Sequence, residues 1–102
     1  MNNKTNIAND LIPGDAIHVG DILKDELQAR HFTQKAFAEL IAIKPNVLSE
    51  LIHKKRNMTA ELAVKIEKIL GIEAEFWMRI QSKYEIDCVR IKLRLQNRVY
   101  AV

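Results

Sequence analysis

A chain of 102 residues with 48% apolar content has material for one compact core, which excludes global disorder. Three Gly and two Pro are too few for a turn-dense β-sandwich or barrel and point to helices with short connections. The formal charge of +3 decides little by itself, and the single Cys88 excludes an intramolecular disulfide framework and suits a reducing cytosol.

Residues 1–19 read as an irregular arm, with an Asn-rich start and a turn at Pro13-Gly14-Asp15. Ile22, Leu23 and Leu27 then recur at helical spacing from about Gly20 to Arg30. Thr33 is a good N-cap for a second helix from Gln34 to Ile41, with Phe37, Ala38 and Ile41 turned inward. Pro45 marks the first turn of a third, which carries Leu48, Leu51 and Ile52 on one face. Thr59 caps a fourth, whose stripe is Leu62, Ala63, Ile66, Ile69 and Leu70, and Gly71 ends it. A fifth begins near Glu73 and carries Phe76, Trp77 and Ile80.

Residues 88–102 carry two patterns at once. Val89, Ile91, Leu93 and Leu95 alternate with polar residues as a strand does, whereas Cys88, Ile91, Leu95, Val99 and Val102 fit a helical stripe. The helix is preferred because the rest of the chain is helical and the run lacks turn signals. The organisation expected is therefore an arm over 1–19, a helical domain over 20–87, and a basic amphipathic segment over 88–102. That last segment is a candidate dimer or partner contact through Ile91, Leu95 and Val99, since a helix with an apolar side needs a surface to cover it.

The run from Thr33 to Ile52 has the spacing of a helix-turn-helix. Ala38 is small where two helices must approach most closely. Phe37, Ile41, Ile43, Leu48 and Leu51 fall where such a unit buries its inner faces. Asn46, Ser49 and Glu50 point outward from the second helix and are free to enter a major groove. Lys54-Lys55-Arg56 follows at once, in a position suited to phosphate contacts, which fix register but carry little sequence information.

These residues resemble a known family. Gln34 through Arg56 resembles the Xre-type helix-turn-helix of phage repressors and many bacterial regulators. His18-Val19-Gly20-Asp21-Ile22-Leu23 resembles the "HPGEIL" opening of HigA-type antitoxins. Gly71-Ile72-Glu73-Ala74-Glu75-Phe76-Trp77-Met78-Arg79-Ile80-Gln81-Ser82-Lys83-Tyr84 resembles their "LG-x-x-PEFW-x-x-LQ-x-x-Y" segment, and the likeness covers about residues 12–90. The resemblance implies an all-α, five-helix bundle like that of the lambda repressor, with an additional C-terminal segment. It also implies an antitoxin that neutralises a HigB-type toxin, a ribosome-dependent mRNA endonuclease, and represses their shared operon as a homodimer. The runner-up is a stand-alone Xre-type regulator without a toxin, and a third reading is a protein-interaction module that has lost DNA binding.

The DNA-contacting set expected on the motif is Gln34, Lys44, Asn46, Val47, Ser49, Glu50, Lys54, Lys55 and Arg56. Several positions depart from the family pattern. Ala42 stands where the inter-helix turn usually has Gly, Lys44 where Ser commonly caps the second helix, and Lys54 where the following loop usually has Gly. Pro45 and Val47 occupy positions that are often polar, so base reading shifts to Asn46, which can pair with adenine, and to Glu50, which can accept from cytosine N4. Glu50 reads equally as a base reader, a discriminator against wrong bases, or a solvent-facing acid.

His18, His31 and His53 are scattered without partners at metal-ligand spacing, so no metal or other cofactor is expected. No set of acid, base and nucleophile converges, so no enzyme is expected either. Phe76 and Trp77 read as core rather than a base-stacking platform, and Cys88 as packing on the fifth helix. The acids Asp21, Asp25 and Glu26 fit either a solvated face or a contact for a basic toxin. A polar start and the lack of an apolar run of bilayer length predict a cytoplasmic protein with no membrane contact.

Overall fold

The computed structural model describes residues 14–100, with side chains through Asn97. Among these residues five helices follow in order: α1 (Val19–Ala29), α2 (Gln34–Leu40), α3 (Pro45–Ile52), α4 (Ala60–Leu70) and α5 (Ala74–Tyr100). Three of them start on side-chain caps. Thr33 Oγ1 accepts from the Ala36 N–H at 3.1 Å and Thr59 Oγ1 from the Leu62 N–H at 3.2 Å. At α1 the cap is a histidine, His18, whose Nδ1 accepts from the Gly20 N–H at 2.9 Å. Lys44 caps α3 with backbone geometry alone, as its side chain predicts, and Pro45 stands at the first helical position.

The helix exits explain why so few glycines suffice. In α1, α2 and α3 the residue after the C-cap is left-handed and not glycine: His31 at φ 62°, Ala42 at 57° and Lys54 at 66°. Each is spanned by the same pair of backbone hydrogen bonds. For α2 these run from Ala42 N–H to the Glu39 carbonyl (3.2 Å) and from Ile43 N–H to the Ala38 carbonyl (3.0 Å). Each left-handed L-residue costs roughly 1–2 kcal/mol, which the closed turn and the packing around it offset. Only α4 ends on glycine, Gly71 at φ 72°.

The core is one cluster in which Leu23, Phe37, Leu48, Leu51, Ile66 and Trp77 are fully buried. Gly20 lets the first turn of α1 cross the end of α3, because a Cβ there would collide with the Leu51 carbonyl. Up to Ile80 the stripes agree with the expected ones, with Ile69 the exception: it is exposed at the rim of α4.

The preferred helical reading of the C-terminal segment holds. α5 runs unbroken for 27 residues, so the alternation over 89–95 is helix, not strand, and the segment continues the fifth helix instead of following it as a separate element. Among the described residues there is no strand for it to pair with, and a helix satisfies its backbone internally. No Gly or Pro interrupts residues 74–100, and Lys83 bridges Asp87 one turn on at 2.6 Å. Cys88 lies within this helix, half-buried, instead of packing against it. Residues 1–13, where most of the irregular arm was placed, and Val102 lie outside the described residues, and so does the side chain of Val99.

Candidate nucleic-acid interface

The α2–turn–α3 unit is built on two fully buried residues, Phe37 and Ala38. The small Ala38 leaves room for close approach, and its carbonyl closes the turn onto Ile43. The buried face of α3 (Leu48, Leu51, Ile52) fixes the opposite face by helical periodicity. That opposite face holds Asn46, Ser49, Glu50 and His53.

The expected contact residues divide into groups. Gln34 is the first residue of α2 and is exposed; Lys44, the N-cap of α3, and Asn46, its second residue, are exposed as well. Ser49 and Glu50 are half-buried, and Val47 is half-buried against the core, so it sits at the edge of the polar face. Ser49 also anchors the helix end, because its carbonyl accepts from the His53 ring N–H at 2.7 Å.

Ion pairs then separate the three bases that follow. Lys54 Nζ lies 3.4 Å from Asp21 of α1. Arg56 donates through both Nε (3.0 Å) and Nη2 (2.6 Å) to Oε1 of Glu50. Among the described residues Lys55 makes no ion pair, and its side chain is exposed. Its backbone is fixed, since its N–H donates to the Glu50 carbonyl at 2.8 Å. A cation on a fixed backbone at the end of α3 is well placed to meet a phosphate.

Two supports of this loop were not anticipated. His18 is buried, stacks edge-on against Tyr84 of α5 with ring centroids 4.6 Å apart, and shares a backbone hydrogen bond with Arg56. Burial pushes its pKa below the ordinary value of 6.5; Lys54 adds to the lowering, while Asp21 and the Arg56 backbone oppose it. Gln81 of α5 is also buried: its Oε1 accepts from the Met58 N–H at 2.7 Å and its Nε2 donates to Glu85 at 2.8 Å. Histidine is outside the usual capping set, so His18 carried no cap signal. Gln81 had one available signal, its place one turn beyond Trp77 on the buried side of α5.

Among the described residues no three His, Cys, Asp or Glu side chains gather as a metal site would need. No described helix is long and apolar enough to cross a membrane.

A family model described as Helix-turn-helix matches residues 23–77. The antitoxin HigA-1 of Vibrio cholerae is 37% identical over 71 residues, which is 69% of this chain and 67% of that protein. An addiction module antidote protein of the HigA family from Coxiella burnetii is 28% identical, with a TM-score of 0.75 over 82% of this chain and 92% of that one. The Pseudomonas aeruginosa antitoxin HigA, solved with the higBA promoter, is 26% identical, with a TM-score of 0.74 over 79% of this chain and 89% of that one.

Proposed function

The chain belongs to the helix-turn-helix family and resembles the HigA antitoxins within it, and on that premise we propose that it is an operator-binding autorepressor that also neutralises a HigB-type toxin. The observation that carries the DNA-binding part is the exposed face of α3. It presents Asn46 with Ser49 and Glu50 on one ridge, beside the unpaired Lys55. Asn46 lies near the N-terminal end of the helix, where such motifs reach base edges, and its amide can pair with adenine. Gln34 and Lys44, at the starts of the two helices, flank that ridge and contact the DNA backbone together with Lys55.

The protein acts as a cytoplasmic homodimer, because one recognition helix reads only a few base pairs and operators of this kind have two half-sites. The recognition helices then lie roughly 34–36 Å apart, or a multiple of that. The outer half of α5 supplies the interface. On its Ile91–Leu95 stripe Leu95 is more than half exposed and Ile91 is half-buried.

Fluorescence anisotropy with the DNA upstream of its own gene tests the repressor part. Tight binding to that duplex and weak binding to a scrambled one at the same salt is the expected result. Equal affinity for both contradicts it. Co-expression with the adjoining reading frame tests the antitoxin part: growth arrest by the neighbour alone and rescue by this protein is expected, and no arrest leaves a stand-alone regulator.

A further inference from the structure

The end of α3 holds an arrangement that a plain row of phosphate contacts does not use. Glu50 stands one turn beyond Asn46 on the same ridge and is the acid on that groove-facing side. Arg56 grips one of its oxygens with two nitrogens, at 3.0 and 2.6 Å. Among the described residues the other oxygen, Oε2, takes no hydrogen bond.

The backbone at Arg56 is held. The Lys55 N–H to Glu50 carbonyl bond closes the turn just before it, and His18, itself buried, has a hydrogen bond with the Arg56 backbone. The guanidinium is thus delivered to Glu50 by a fixed backbone rather than by a chance surface encounter.

Resting on the DNA-binding reading above, we propose that Glu50 and Arg56 act as one specificity unit. In it Oε2 of Glu50 accepts a hydrogen bond from the N4 amine of a cytosine in the major groove. Arg56 is a positioning residue that aims and neutralises the carboxylate, not an independent phosphate contact.

Charge is the first reason. A bare carboxylate carried into a groove walled by phosphates is repelled, and losing water there makes the repulsion worse. Pairing with Arg56 makes the unit neutral. The pair itself, about two-fifths exposed, contributes little in free protein. On DNA it gains strength as water leaves.

The second reason is the competition for Arg56. A phosphate that pulled the guanidinium away would gain one charged contact and leave Glu50 unpaired against the DNA. Stranding a desolvated charge costs more than one such contact returns. Geometry supplies the third reason. With Oε1 saturated by two donors, only Oε2 is left to accept, and an acceptor on the major-groove side matches the cytosine amine.

The test uses the whole protein and the tightest duplex selected from a randomised pool, together with every single-base-pair variant of that duplex. Wild type, Asn46→Ala, Glu50→Ala, Arg56→Ala, Arg56→Lys, Lys55→Ala and the Glu50→Ala/Arg56→Ala double variant are titrated at several salt concentrations. Circular dichroism checks that each one folds. Glu50→Ala and Arg56→Ala should each relax the preference for the same C·G pair by roughly tenfold. The double variant should lose no more than either, and Arg56→Lys, which cannot grip with two nitrogens, should restore the preference only in part. Arg56→Ala should keep the wild-type slope of log K against log salt, whereas Lys55→Ala should flatten it by about one.

Arg56→Ala that weakens all duplexes alike and flattens the slope by about one makes Arg56 a phosphate contact and overturns the proposal. Every base preference surviving Glu50→Ala also overturns it, while specificity that still depends on Asn46 leaves the DNA-binding reading standing. Wild type that prefers no duplex brings down both.

Discussion

Replacing Gly20 with Ala probes the crossing that aims the recognition helix. The added Cβ meets the Leu51 carbonyl of α3, and the Ile52 carbonyl and the His18 ring lie at 3.0 and 3.1 Å from the same point. Two of the three obstacles are backbone, so no side chain can swing aside. α1 must move off α3, which loosens Val19, Leu23 and Leu51, all fully buried. Overpacking of this kind costs about 1–3 kcal/mol, and a backbone obstacle belongs at the upper end. Alanine returns up to about 1 kcal/mol through the helix preference it has over glycine. The net is about 2 kcal/mol of destabilisation, or a fall in Tm on the order of 10 °C for a domain this size. Gly14→Ala is the control, since nothing lies within 4 Å of its Cβ and its backbone is not left-handed. Urea and thermal unfolding followed by circular dichroism measure all three proteins. Gly20→Ala matching wild type while Gly14→Ala behaves as expected would refute the close crossing of α1 on α3.

Other consequences are as direct. His18 is buried with its pKa lowered from 6.5, so between that value and its folded pKa the unfolded chain binds more protons. Stability should be full above about pH 6.5 and decline as pH falls below it; urea midpoints from pH 5 to 8 for wild type and His18→Gln check this, the variant losing that dependence. Ala42→Gly should raise stability by about 1 kcal/mol by relieving a left-handed alanine, whereas Ala42→Val should lower it; thermal melts decide the sign. Gln81→Ala should cost about 1–3 kcal/mol by leaving the buried Met58 N–H without an acceptor, and the Met58 amide should become fast in hydrogen exchange while the centre of α4 stays protected.

What could be read from the sequence follows from how local each signal is. Thr33, Thr59, Pro45 and Gly71 act within one turn, and all four mark helix ends where the structure has them. Trp77 and Phe37 announced the core through 3.6-residue spacing. The reach of α5 was ambiguous because, over seven residues, Val89 to Leu95 satisfy a period of two as well as a helical stripe. The left-handed exit at His31 was hidden because the residue forgoes the glycine that would have advertised it, whereas at Lys54 only the family's glycine marked the place.

The site divides in the same way. The ridge of Asn46, Ser49 and Glu50 is a matter of periodicity inside one helix and was legible. The pairing of Glu50 with Arg56 spans a turn, that of Asp21 with Lys54 spans two helices, and neither has a spacing rule. For the same reason the run Lys54-Lys55-Arg56 does not display in sequence its division into one unpaired cation and two engaged ones.

The central claim, that the polar face of α3 lies in a major groove, is tested most directly by comparing Asn46→Ala with Lys55→Ala on operator and scrambled duplexes at several salt concentrations. Asn46→Ala should cost about 1–3 kcal/mol on the operator and little on the scrambled duplex, with the salt slope unchanged. Lys55→Ala should weaken both duplexes and flatten the slope by about one unit. Asn46→Ala weakening both duplexes equally, with Lys55→Ala leaving the slope untouched, would contradict the placement of this helix in the groove.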